Sequence, residues 1–118
     1  MSGVGVPAAD RLCEACVDLL PVDGAAISLM DEGSTYGTFG SSGELSRRLD
    51  EFQFTFGEGP CLDSIASQRP ILVSDLASPS GQRWPVYSGA VLQAGVRGVF
   101  AMPISVARTY VGVLDLFR

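Results

Sequence analysis

Histidine, lysine and asparagine are missing from this chain, and cysteine occurs only three times. Without histidine there is no imidazole for acid–base work, no Cys–His or Ser–His nucleophile pair, no histidine-ligated haem and none of the common zinc sites. Without lysine, arginine carries every positive side-chain charge. The net charge of −5 then leaves no cationic surface to displace counterions from phosphates, so direct nucleic-acid binding is not expected. An odd number of cysteines suits free thiols in a reducing compartment better than a disulfide framework. Residues Met1 to Asp10 lack the basic and apolar regions of a signal peptide. No apolar run approaches the ~20 residues that span a bilayer. These absences predict a cytoplasmic protein with no membrane anchor, no metal site and no cofactor. Binding is expected of it, and catalysis is not.

What is present describes one domain over residues 1–118, 47% hydrophobic and therefore able to build a core. Ala8 to Leu20 reads as an amphipathic helix: Ala9, Leu12, Cys13, Cys16, Val17 and Leu20 follow helical spacing along one face, and Pro21 stops it. Ala25–Met30 and Thr35–Phe39 are short strands around an Asp31–Ser34 turn, a hairpin pattern. Ser41-Ser42-Gly43-Glu44 matches a capping box and opens a helix with Leu45, Leu49 and Phe52 inward. The arginines at 47 and 48 share a solvated helix face with Asp50 and Glu51. Alternation of Phe52, Phe54 and Phe56 predicts an extended stretch leading into Gly57-Glu58-Gly59-Pro60.

Pro60 suits the first turn of a helix that buries Cys61, Leu62, Ile65 and Ala66. Ile71–Val73 is a buried strand, Asp75–Gly81 a loop, and Trp84–Pro85 begins a helix that Gly95 ends. Val96–Ile104 and Thr109–Phe117 are two strong strands joined near Ala107–Arg108. Hairpins at both ends imply an α+β fold, with a largely antiparallel sheet of five to six strands and helices packed on both faces. The abrupt stop at Phe117–Arg118 reads as one domain of a longer protein, cut before a closing helix.

This order resembles a GAF domain, a small-molecule sensor module related to PAS domains. The resemblance rests on Gly24–Met30, Phe56-Gly57-Glu58-Gly59-Pro60-Cys61, Pro70–Leu76, Arg83-Trp84-Pro85, Gly95–Pro103 and Gly112–Leu116 taken in order. The wording is most similar to GAF domains of actinobacterial regulators that carry an ANTAR RNA-binding antiterminator domain. The resemblance implies a regulatory sensor that signals to an attached output domain, acting as a homodimer. It also implies a ligand pocket between the sheet and a cover formed by residues 41–68 and 75–95. Ser28, Met30, Phe100 and Met102 are its expected floor, and Tyr36, Cys61, Trp84 and Tyr87 its walls. The plainer reading is that these side chains fill a core.

Cys61 follows the Gly-Glu-Gly-Pro turn at a helix start, where unpaired N–H groups favour thiolate. GAF-type free methionine sulfoxide reductases place a cysteine there, but with further cysteines nearby, which this chain lacks. A small buried hydrophobe beside Ile65 is the preferred reading, and a thiol redox sensor or reductase the alternative. Cys13 and Cys16 have C-x-x-C spacing on a helix face, which suits packing better than redox or zinc chemistry. Ala9, Leu12, Cys16 and Leu20 form the expected dimer surface. A protein-interaction or dimerisation module without a ligand stays open beside the sensor.

Overall fold

A computed structural model describes the backbone of residues 5–31 and 34–118, and the side chains of residues 7–29 and 37–118. Helix α1 spans Gly5–Leu19, and strands β1 (Gly24–Asp31) and β2 (Ser34–Ser41) follow. Next come helices α2 (Glu44–Phe56) and α3 (Pro60–Ser67) and the short strand β3 (Ile71–Val73). A 3₁₀ turn at Pro79–Arg83 leads into α4 (Pro85–Gln93), and the hairpin β4 (Val99–Val106) and β5 (Thr109–Phe117) closes the chain. The described residues build one five-stranded sheet in the order β2-β1-β5-β4-β3, antiparallel at every pairing. Each hairpin forms locally; the β1–β5 pairing joins the two into one sheet.

Register sorts the side chains into two layers. Ala26, Asp115 and Ala101 lie in one cross-strand row, and Ile27, Leu114 and Met102 in the next. Successive residues of a strand point to opposite faces, so the two rows do too. Ile27 and Leu116 pack with Ala9 and Cys13 of α1, flanked by Phe39, Phe100, Met102 and Leu114. Ala26, Val99 and Phe117 pack with Leu49 of α2 and with Trp84, Tyr87 and Val91 of the α4 region. Ala101 and Val113 meet Cys61 and Ile65 of α3. The helices α2, α3 and α4 therefore roof one face, while α1 lies on the other. Trp84 and Tyr87 are the largest side chains sealed under the roof, their rings edge-on at 6.4 Å. Burial of each stabilises the fold by about 2–3 kcal/mol.

Three local expectations change. The capping box does not form: Gly43 is the N-cap of α2, Ser41 Oγ donates to the Gly43 carbonyl, and Ser42 Oγ accepts from the Ala25 N–H. Helix α2 continues through Phe56, because Phe52 and Phe56, four residues apart, stack at 5.5 Å. Its buried face is Ser46, Leu49, Asp50 and Gln53, whereas Leu45 is exposed. In α3, Ser64 is buried and Ala66 exposed. Among the described residues no helix is long and apolar enough to cross a membrane.

Candidate functional site

Between the sheet and the roof lies a buried polar cluster centred on Gln53. Helical spacing aims Asp50 and Gln53 inward from α2, and strand alternation aims Ser28 of β1 and Asp115 of β5 at them. Asp50 Oδ2 accepts hydrogen bonds from the hydroxyls of Ser28, at 3.0 Å, and Thr38. Gln53 Nε2 donates to Asp50 Oδ1 at 3.1 Å and to Asp115 Oδ2 at 2.9 Å, spending both amide hydrogens. Gln53 Oε1 accepts the Cys61 N–H at 2.7 Å, and the Cys61 thiol lies 3.7 Å from Ser28 Oγ. Ser28, Asp50, Gln53, Cys61 and Asp115 are all sealed from solvent.

The Gly57-Glu58-Gly59-Pro60-Cys61 segment holds this arrangement. Gly57 ends α2 in the left-handed region and donates its N–H to the Gln53 carbonyl. Gly59, at φ +148°, lies so close to Gln53 that a Cβ there would strike the carboxamide. Pro60 opens α3 and points the Cys61 N–H at Gln53. Glu58 Oε1 accepts the N–H groups of Val86 and Tyr87 at 2.7 and 2.9 Å, capping α4 from outside. Asp63 of α3 accepts the indole N–H of Trp84 at 3.0 Å. The two motifs that read separately in sequence are thus bonded to each other across the roof.

Burial dominates the electrostatics. It raises the Asp115 carboxyl well above its usual range, and the hydrogen bond and charge of Asp50 add to it, against Gln53. Burial likewise pushes the Cys61 thiol up, with Asp115 and Asp50 adding to it; the Ser28 hydrogen bond opposes them weakly. The thiolate expected from the start of α3 is therefore disfavoured: loss of water and two acidic neighbours outweigh the helix end. Cys13 is pushed up to about 12, first by burial and then by Cys16 and Asp10. Tyr87 is raised by burial and by Asp115, Asp50 and Cys61. Among the described residues its hydroxyl and Asp115 Oδ1 have no hydrogen-bond partner. Buried polar atoms without partners cost about 1–3 kcal/mol each and are rare.

Of the expected pocket residues, Ser28, Cys61, Trp84 and Tyr87 come together under the roof. Phe100 and Met102 do not; their rows face α1, so they cannot floor a pocket on the roofed side. The side chains of Met30 and Tyr36 lie outside the described residues. An open cleft of about 260 Å³ lies at the start of α2, between Gly24, Ser42, Leu49, Val96 and Phe117. It touches none of the described candidates. Of the expected dimer surface, Ala9 is buried against the sheet and Cys16 half-buried, while Leu12 and Leu20 are exposed, at 54% and 44%. Asp50, Gln53, Thr38 and Asp115 went unread as site residues. Asp115 did carry a signal, being one acid in the apolar run Val113-Leu114-Asp115-Leu116-Phe117.

Among curated proteins none matches the chain. Solved structures with the same fold include a Staphylococcus aureus NreA protein mutated in its nitrate binding site. It is 16% identical at a TM-score of 0.70, over 95% of this chain and 83% of that one. A type II free methionine-R-sulfoxide reductase from Thermoplasma acidophilum is 13% identical at 0.67, over 94% and 71%. The GAF domain of a phosphoenolpyruvate-protein phosphotransferase from Coxiella burnetii is 20% identical at 0.63, over 95% and 66%. Likeness at these identities establishes fold and not a shared activity. The family model described as GAF domain matches residues 8–118, almost the whole sequence, and the chain belongs to that family.

Proposed function

We propose that this GAF domain is a regulatory sensor that receives a small molecule under the α2–α4 roof and passes the change to an attached output domain. The observation that carries this reading is the sealed Asp50–Gln53–Asp115–Cys61 cluster with two unpartnered polar atoms beside it. A core built only for stability would fill that layer with apolar side chains; a polar layer costs stability and offers recognition. The buried, protonated state favoured for Cys61 supports a regulatory reading over thiol catalysis. An RNA-binding antiterminator is the proposed output, on the motif wording alone. Hydrogen–deuterium exchange with and without a metabolite extract of the source cells tests the sensor half. Protection in α2 and α3 is expected, and protection confined to α1 would sink it. The coding sequence beyond Arg118 tests the output half.

A second role, homodimerisation through α1, is favoured by Leu12 and Leu19, which stay exposed on that helix, and by Leu20 just beyond its end. Light scattering should give twice the chain mass, and Leu12→Glu should halve it. A monomer at micromolar concentration would remove this role.

A further inference from the structure

The cluster under the roof is crowded with acceptor lone pairs. Both hydrogens of the Gln53 amide are spent, and the hydroxyl hydrogens of Ser28 and Thr38 go to Asp50 Oδ2. Lone pairs remain on Asp50 Oδ1, on Asp115 Oδ1, on the Cys61 sulfur and on the Tyr87 oxygen. No cation answers them: among the described residues the ion pairs join Arg47 to Asp10 and Arg97 to Asp75. Uncompensated buried carboxylates are costly, so the layer calls for a proton or a metal ion.

The proton is the one that burial keeps on Asp115, and the placing of the donors also suits an ion in its stead. A carboxylate oxygen of Asp50, one of Asp115 and Cys61 Sγ lie within 4.8 Å of one another. A tetrahedral ion with bonds of ~2.0–2.3 Å needs ligand atoms about 3.3–3.8 Å apart, which small side-chain rotations here would reach. The Tyr87 hydroxyl, buried and unpartnered among the described residues, is close enough for Asp115, Asp50 and Cys61 to raise its pKa, and is a further oxygen to test as a ligand. Three or four donors are too few for calcium, and a dry enclosure does not suit magnesium, which keeps its waters. One sulfur with two carboxylates suits a borderline-soft first-row ion.

We propose that Asp50, Cys61 and Asp115 form a buried site for a divalent transition-metal ion of the zinc class, supported by Gln53 from behind. The three residues stand far apart in sequence and match no spaced ligand motif, which hid the site from a reading of spacing. Uptake displaces the proton of the Cys61 thiol and the one held on Asp115, so binding releases protons to solvent. This inference rests on the reading of the roofed layer as the receiving site, and names the ligand class it takes.

Cobalt(II) is the probe, added to the folded chain and also during refolding from urea, so that a closed roof cannot block it. A Cys13→Ala/Cys16→Ala background leaves Cys61 as the one thiol. Saturation at about one equivalent per chain is expected, with a thiolate-to-cobalt charge-transfer band that zinc displaces. Cys61→Ser should abolish the band, and Gln53→Ala should weaken affinity about 10- to 100-fold. Tyr87→Phe, the mildest change, should keep the fold and shift the cobalt spectrum. Absence of the band in the folded background protein, or a band that survives Cys61→Ser, overturns the site. Exchange protection of α2 and α3 by metabolite extract without any cobalt band overturns the metal and leaves the sensor. If neither signal appears, both readings fall.

Discussion

The two faces of the sheet are both buried, yet they are built by different rules. Against α1, Ala25, Ile27 and Leu116 meet Ala9 and Cys13 in an apolar layer. Against the roof, the same strands carry Ser28 and Asp115 into contact with Asp50, Gln53 and Cys61. The first layer can be assembled from any well-fitting hydrophobes of similar volume. The second depends on which hydrogen bonds are made, because each one lost leaves another buried polar group bare. One face supplies stability, and the other spends some of it on a chemically specific enclosure.

The sharpest way to break this contrast is Gln53→Leu. That substitution keeps the volume but strips partners from Asp50, Asp115 and the Cys61 N–H at once. A loss of about 3–5 kcal/mol is expected from urea unfolding. Ile27→Val, in the apolar layer, should cost about 0.5–1.5 kcal/mol. Comparable losses would mean that the roofed layer is ordinary packing.

A second test uses pH. Asp115 holds its proton more tightly folded than unfolded, because its carboxyl is raised above the ordinary value of 3.8. Its contribution is complete below that value and is lost as pH climbs towards the raised folded value. The decline is at most about 1.4 kcal/mol per pH unit. Asp115→Asn removes the titrating group, so in chelator-treated buffer the variant should gain on the wild type as pH rises. Parallel stability curves would show that Asp115 ionises freely inside the fold.

How far the sequence disclosed these faces depends on the element. The order of helices and strands was legible because hydrophobic period, Pro21, Pro60 and Pro85 mark it, and the resemblance to GAF domains rests on turns that do bond across the roof. The Phe52-x-Phe54-x-Phe56 spacing misled, since a period of two in large side chains also fits a helix when two of them stack at i, i+4. Counting inward from the β4–β5 turn could not orient Phe100 and Met102. A register shift after Ile104 reverses parity, and the turn is made by Ala107 and Arg108 at positive φ, without the usual Asn-Gly. Asp50 was hidden among Arg47, Arg48 and Glu51, where a mixed-charge helix segment reads as solvated. Its burial becomes visible only when Ser28 and Thr38 arrive from the β1–β2 hairpin.

The smallest effect separates the faces most cleanly, through two cysteines that are equally sealed from solvent. Cys13→Ser places a hydroxyl among Ala9, Ala25, Ile27 and Leu116, an apolar setting in which a carbonyl of its own helix can accept its hydrogen. Cys61→Ser places the same hydroxyl beside Ser28 and the two carboxylates, where acceptors are in excess. The first should cost about 1–3 kcal/mol. The second should stay within about 1 kcal/mol, since the new hydrogen meets a lone pair already waiting for it. Urea midpoints of the two single variants measure the difference directly. If Cys61→Ser proves the more damaging, the sulfur is prized there as a hydrophobe, and the roofed layer is less polar than its hydrogen bonds imply.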